Sequence, residues 1–333
     1  MKVRRSIWIS AALVIAASLI LIVVFNVPDK GITFHDANLE AMVRDQVGKP
    51  SGSIQRADIE KIDALDINYD AATVSLNNTT YSGAVRDLTD LRHFTALEVL
   101  MISGAEIETL SPLSSLSDLQ AAFFIDCNIT AGFAPLSDLP NLQCLVIRES
   151  QVSDLASLGN MTKLSELWLM DIGGAGIGNL SAISHLTNLN ELTLVGNNIH
   201  DLSPLANLTE LTGLAVSNNE ISDITPLSQL TNMTRLDLIN NQISDISPLS
   251  KLTNLTSLSL DYNQISDIAP LSGLANLTSL GLSDNQISDI SPLVENSREG
   301  NGTFISLGNN PLNEVSMNVY LPQLRAMGFS VQL

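Results

Sequence analysis

The stretch LTSLSLDYNQISDIAPLSGLAN, Leu255 to Asn276, decides the fold. Shifted back by its own length it overlays MTRLDLINNQISDISPLSKLTN, Met233 to Asn254, and further units of the same length begin at Leu189, Leu211 and Leu277. Less regular copies start at Leu97, Leu119, Leu142 and Leu164, with one extra residue before Leu142 and three before Leu189. A distorted copy occupies residues 74–94, and a final one contains Ile305, Leu307 and Asn310.

The spacing within a unit predicts its shape. Alternation around L-x-L makes a short strand, with leucines pointing inward and the residues between them outward. The Asp-Ile-x-Pro-Leu phrase turns the chain back, and its proline prevents a long helix there. The full pattern, L-x-x-L-x-L-x-x-N-x-I-x-D-I-x-P-L-x-x-L, repeated at about 22 residues, is a leucine-rich repeat. The expected fold class is therefore an α/β leucine-rich repeat solenoid. It has a curved parallel sheet on the concave face and short turns or 3-10 segments on the convex face. A single unit cannot bury enough apolar surface to offset the entropy of ordering its backbone, so the units must stack and the ends need lids. Asp36 is placed to cap a helix carrying Leu39, Met42, Val43 and Val47, and Asp58 to cap another with Ile59, Ile62 and Leu65. At the far end Asn310-Pro311-Leu312 precedes a helical stretch from Ser316 to Met327, stopped by Gly328.

The repeated "SDISPL" unit behind a helical cap resembles the internalin-like leucine-rich repeat proteins of bacteria over essentially Phe34 to Val331. The resemblance implies a non-enzymatic surface protein that recognises another protein. The wall-sorting motif and immunoglobulin-like domain that often follow such repeats are not found after the last unit, so wall-anchored adhesion is not expected.

The segment before the cap has a separate purpose. Ile7 to Phe25 is uncharged and is preceded by Lys2, Arg4 and Arg5. As a helix it would span roughly 28 Å, close to the hydrocarbon thickness of a bilayer. The preceding charges would hold the N-terminus inside and place the repeats outside. No small residues close the apolar run, so an uncleaved single-pass transmembrane helix is favoured over a cleaved signal peptide, which would make the protein secreted. The organisation expected is thus a signal-anchor or signal peptide at 1–27, a short linker at 28–33, a helical N-terminal cap at 34–73, leucine-rich repeats at 74–310 and a C-terminal cap at 311–333. The linker reaches about 20 Å at most, which would keep the repeats near the membrane.

Composition narrows the function. The chain has 35 acidic and 16 basic residues, a net charge of −19, and all the basic residues of the first segment lie before its apolar run. A domain this acidic repels phosphate backbones, so no nucleic-acid partner is expected. Two cysteines, Cys127 and Cys144, stand at non-equivalent places in successive units and are read as free thiols. His35, His93, His185 and His200 fall in cap or turn positions with no nucleophile beside them. Gly173, Gly174, Gly176 and Gly178 form an insertion without phosphate-loop spacing. No catalytic residue, metal or cofactor is expected, and the protein is not read as an enzyme.

Two recurrent rows are read as structural. Asn197, Asn219, Asn241, Asn263, Asn285 and Asn310 form an inward ladder able to satisfy backbone groups left over at the turn. Asp154, Asp201, Asp223, Asp245, Asp267 and Asp289 are read as turn caps rather than calcium ligands, because single carboxylates one repeat apart cannot build a cation cage. The informative departures are on the concave face. Met101, Phe123, Val146 and Trp168 should stand side by side as one exposed row, flanked by Ile125, Arg148 and Met170. An apolar row with an aromatic anchor and an arginine is the composition of a protein-binding surface. The same units carry Ala105, Cys127, Ser150 and Ile172 in place of the ladder asparagine. The expected partner is a protein or peptide ligand, with the membrane contacted only through the N-terminal helix. A secreted adhesin or virulence factor binding a host protein is the alternative.

Overall fold

The computed structural model describes residues 31–83, 85, 87–173, 177–295 and 303–333. The expected anchor at 1–27 lies outside these residues. Among the described residues no helix is long and apolar enough to cross a membrane.

The described chain opens with helix α1 (Ala37–Gln46), whose Leu39, Met42 and Val43 are buried. Asp36 caps it, its carboxylate accepting the N–H groups of Asn38 and Leu39 at 2.9 and 3.0 Å. The cap is pinned to the first convex turn by Asp90, a fully buried carboxylate that accepts from the backbone of His35 and Asp36 and from the His35 ring. A single turn, α2 (Arg56–Ile59), follows. Asp58 does not begin a helix, as its residue type suggests. It lies inside α2 and reaches back to accept the Gln55 N–H at 2.7 Å, with Lys49 paired to the same oxygen.

The second correction concerns where the repeats begin. Strand β1 (Ala64–Asn68) lies parallel to and in register with β4 (Val99–Ser103), so Leu65 and Ile67 supply the first inward pair of the solenoid. Residues expected to start the repeats instead form a hairpin. Strand β2 (Thr73–Leu76) runs antiparallel to β1, and β3 (Thr79–Ser82) antiparallel to β2. Asn77 and Asn78 make the two-residue turn with φ of 45° and 68°, the left-handed geometry that asparagine tolerates.

The remaining strands of the concave sheet are β6 (Ala121–Ile125), β8 (Cys144–Arg148), β10 (Glu166–Met170), β11 (Glu191–Thr193), β12 (Gly213–Ala215), β13 (Arg235–Asp237), β14 (Ser257–Ser259), β15 (Ser279–Gly281), β16 (Phe304–Ser306) and β17 (Ser330–Gln332). All are parallel, and with β1 to β4 they form one fourteen-stranded sheet among the described residues. The chain returns through single convex turns, 3-10 in form at Ser111–Ser115, Thr225–Gln229, Ser247–Lys251 and Ala269–Gly273. Asp201, Asp223, Asp245, Asp267 and Asp289 each accept the backbone N–H two residues on, at 2.8 Å, and thereby start the convex turns of the regular units. The hydroxyl and backbone N–H of Ser203 hold the Asp201 carboxyl below its ordinary range. The core is a single column of apolar side chains, mostly leucine and isoleucine, running the length of the solenoid.

The two halves differ. Strands β4, β6, β8 and β10 are five residues long, whereas β11 to β15 have three. The early units also carry a second ladder after the main strand, a three-stranded parallel sheet of β5 (Glu106–Ile107), β7 (Asn128–Ile129) and β9 (Gln151–Val152). At the far end the stretch from Ser316 is one π-helical turn continued by an α-helix at Leu321–Ala326. Gly328 with φ of 90° then turns the chain so that β17 adds a last parallel strand.

Candidate functional site

The concave face of the first units is set by strand register. Met101 pairs with Phe123, Phe123 with Val146, and Val146 with Trp168, all parallel and all between inward leucine-type positions. Two positions on, Ile125, Arg148 and Met170 form a second row beside Ser103. The structure therefore brings all of these residues together on one face.

Their exposure is uneven. Met101, Phe123, Trp168, Ile125 and Met170 are half-buried, and none is among the widely exposed apolar residues. Val146 is buried, with 6% of its surface accessible. It is a short side chain standing between the larger rings of Phe123 and Trp168, about 4.8 Å away on either side, which screen it from solvent. Val146 is thus floor rather than contact surface. Arg148 is exposed, but its guanidinium is not free: it pairs with the Glu149 carboxylate at 2.6 and 3.0 Å. Glu149 sits in the left-handed region with φ of 52°, and its side chain turns back toward Arg148.

The apolar row has polar ends. On one side its register continues to Asp66 in β1, on the other to Thr193 in β11. Asp66 Oδ1 and Trp168 Nε1 are both out of reach of solvent and have no hydrogen-bond partner. Burial pushes the Asp66 carboxyl up from its ordinary value. Asp66 is hidden in the sequence because its segment reads as part of a helical cap. The signal that marks it is the alternation Ala64-Leu65-Asp66-Ile67-Asn68, which repeats the L-x-L pattern in weaker form. Beside the row, the Cys144 thiol is pushed up to about 12 by burial and by the adjacent Glu166 carboxylate. Cys127 and Cys144 are both free thiols.

Further along, the face is polar. Glu191 and Arg235 form an ion pair across Gly213, whose missing side chain leaves room for it: a Cβ there would lie 3.0 Å from the Arg235 guanidinium and closer still to the Glu191 carboxylate. With Thr193, Asp237, Ser257 and Ser259 they line a shallow depression of about 310 Å³.

The asparagine ladder lies behind this half. Asn219 Oδ1 accepts the N–H of Asn197 and of Ile199, and its Nδ2 donates to the carbonyls of Leu194 and Val216. In Asn241, Asn263 and Asn285 the Oδ1 accepts one N–H of the preceding unit, from Ile221, Ile243 and Ile265; Asn197 accepts from Ile172 at the border of the irregular half, and Asn310 closes the row by accepting from Ile287. Of the glycine cluster, Gly173 donates to the Ser150 carbonyl in line with β9, while Gly174 and Gly176 lie outside the described residues. Among the described residues no group of three or more His, Cys, Asp or Glu is placed to hold a metal ion.

The family model for leucine-rich repeats (two copies) matches residues 187–229, 209–251 and 253–295, the regular half of the solenoid. No curated protein matches the chain. Among solved structures, an internalin of Listeria monocytogenes, InlF, is 29% identical, with 89% of this chain and 95% of that one covered and a TM-score of 0.63. The functional domain of InlJ from the same organism is 22% identical, covers 90% of this chain and 60% of its own, and scores 0.64. The ectodomain of the Arabidopsis thaliana receptor kinase GASSHO1/SCHENGEN3, solved with Casparian Strip Integrity Factor 2, shares the fold at 20% identity, with 66% of this chain and 28% of that one covered and a TM-score of 0.53. With its regular period, its parallel concave sheet and its likeness to InlF over nearly its whole length, the chain is a leucine-rich repeat solenoid similar to the internalins.

Proposed function

We propose that the chain is a non-enzymatic recognition module displayed on the outside of a bacterial membrane, and that it binds a protein or peptide on the concave sheet of its N-terminal half. The observation that carries this reading is the register row Met101–Phe123–Val146–Trp168: four apolar residues on consecutive strands of a concave face, two of them aromatic. The same outward column beyond Thr193 is Ala215, Asp237, Ser259 and Gly281, so the apolar character belongs to the early units alone. Half-buried aromatic residues in a concavity, over a dry floor, are the composition of an interface centre. Display outside rests on the charged flank and apolar run at 1–27, which would act as a signal-anchor. Partners are sought on the acidic exterior, with no role for nucleic acid.

The test is capture by the full chain in mild detergent, from envelope extracts and from host-cell extracts, set against the Phe123→Ser/Trp168→Ser variant. A partner retained by the native chain and lost by a variant of unchanged circular dichroism supports the reading. Envelope extracts giving that partner would favour the anchored form, and host extracts the secreted alternative. Equal capture by both chains would remove the face from consideration.

A further inference from the structure

Resting on that reading, we infer that the ligand of the concave row is an extended peptide segment carrying a lysine or arginine that seats against Asp66, followed by apolar side chains over Met101 and Phe123 and a hydrogen-bond acceptor for Trp168. The polar ends of the row carry the inference. Asp66 Oδ1 and Trp168 Nε1 are two of only three buried side-chain polar atoms without a partner among the described residues, and both occupy the same outward column. A buried polar atom left unpaired costs about 1–3 kcal/mol, more where it is charged, so such groups persist chiefly where something else satisfies them. Here the two atoms differ in kind. The carboxylate accepts and wants a cation, whereas the indole N–H only donates and wants an acceptor.

No cation of the described chain is paired with Asp66: the ion pairs present use other carboxylates, and Arg148, the basic residue of this face, is held by Glu149. The spacing selects an extended segment. Four interstrand steps of about 4.8 Å put Asp66 and Trp168 roughly 19 Å apart, which about six extended residues cover. A chain lying across the strands would present its charged residue at one end and a backbone carbonyl at the other. Its apolar side chains would meet the half-buried row between them.

The probe is a library of N-acetylated, C-amidated heptapeptides presented to the full chain in detergent. Retained peptides should be enriched about tenfold or more in lysine or arginine near one end, followed by aliphatic or aromatic residues. Asp66→Asn should erase the basic preference and keep the apolar one, and Asp66→Lys should replace it with an acidic preference. Trp168→Phe, which keeps an aromatic ring and removes the donor, should weaken the best peptide about fivefold. Should Asp66→Lys fail to fold, Asp66→Asn still decides the matter, since it removes the charge at constant shape. Peptides that depend on Phe123 and Trp168 but show no basic preference, or one that survives Asp66→Asn, would overturn this inference and leave the binding face standing. Peptides bound equally well by the Phe123→Ser/Trp168→Ser variant would overturn both.

Discussion

The Ser150 hydroxyl accepts the Cys127 N–H at 3.0 Å and donates to the Arg148 carbonyl at 2.8 Å, across neighbouring turns of the solenoid. Ser150 occupies the ladder position in its unit and is fully buried. With one hydroxyl it performs part of what an asparagine amide performs elsewhere, and the short strands β5, β7 and β9 supply the remaining backbone pairing. Ser150→Ala leaves the Cys127 N–H unsatisfied in the core and should lower the unfolding free energy by about 1–3 kcal/mol. Urea denaturation measures this, and a midpoint indistinguishable from that of the native chain would mean water replaces the hydroxyl.

The full ladder residue is costlier to lose. Asn219 is buried, and its amide joins two consecutive turns by accepting from Asn197 and Ile199 and donating to Leu194 and Val216. Asn219→Ala should cost about 3 kcal/mol or more, because several buried backbone groups lose partners at once. Stability in a stacked repeat is a sum of nearest-neighbour terms, so hydrogen exchange should rise most in the units at 189–232. Uniform loosening of the whole solenoid would contradict this.

The regular units were legible because burial follows the period: every leucine of L-x-L and every isoleucine before the Asp-Ile turn lands inside. Met101, Phe123 and Trp168 were legible by the same alternation. The burial of Val146 was not, since it depends on the size of its lateral neighbours, nor was the pairing of Arg148, which depends on the left-handed backbone at Glu149. Strand β1 is not legible in the sequence because Ala64-Leu65-Asp66-Ile67-Asn68 runs straight into a hairpin rather than into the convex turn that marks the other units. The closing strand Ser330–Gln332 is three residues long and is recruited by the exposed edge of β16, a tertiary cause with no local signal.

Tyr262 holds a left-handed conformation, φ 57°, at the position where other units have Gly196, Asn218, Asn240 and Asp284. Its side chain is 57% exposed, so little packing depends on it. A residue without asparagine's tolerance is strained by about 1 kcal/mol there. Tyr262→Asn should therefore stabilise the protein by roughly that amount, and a thermal melt would register a rise of a few degrees at most in a chain this long. A fall in melting temperature would show that the ring shields the turn below it.

Cys144 offers a reading by pH. Burial, and then the Glu166 carboxylate, push its thiol up to about 12, so almost none of it is thiolate at pH 8. Alkylation of the native chain by iodoacetamide at that pH should be at least about a hundredfold slower than in the unfolded chain. Glu166→Gln, which removes the charge and keeps the shape, should speed it. The Cys127 thiol is raised as well, chiefly by burial, so the measurement is made in a Cys127→Ser background. Because the folded value lies above the unfolded one, the associated stability is complete below about pH 9. As pH climbs from there toward 12 the unfolded chain ionises first, and stability falls. Native-state alkylation as fast as that of the unfolded chain would mean that the thiol meets water, and that the column beside Met101 and Phe123 is more open than its burial implies.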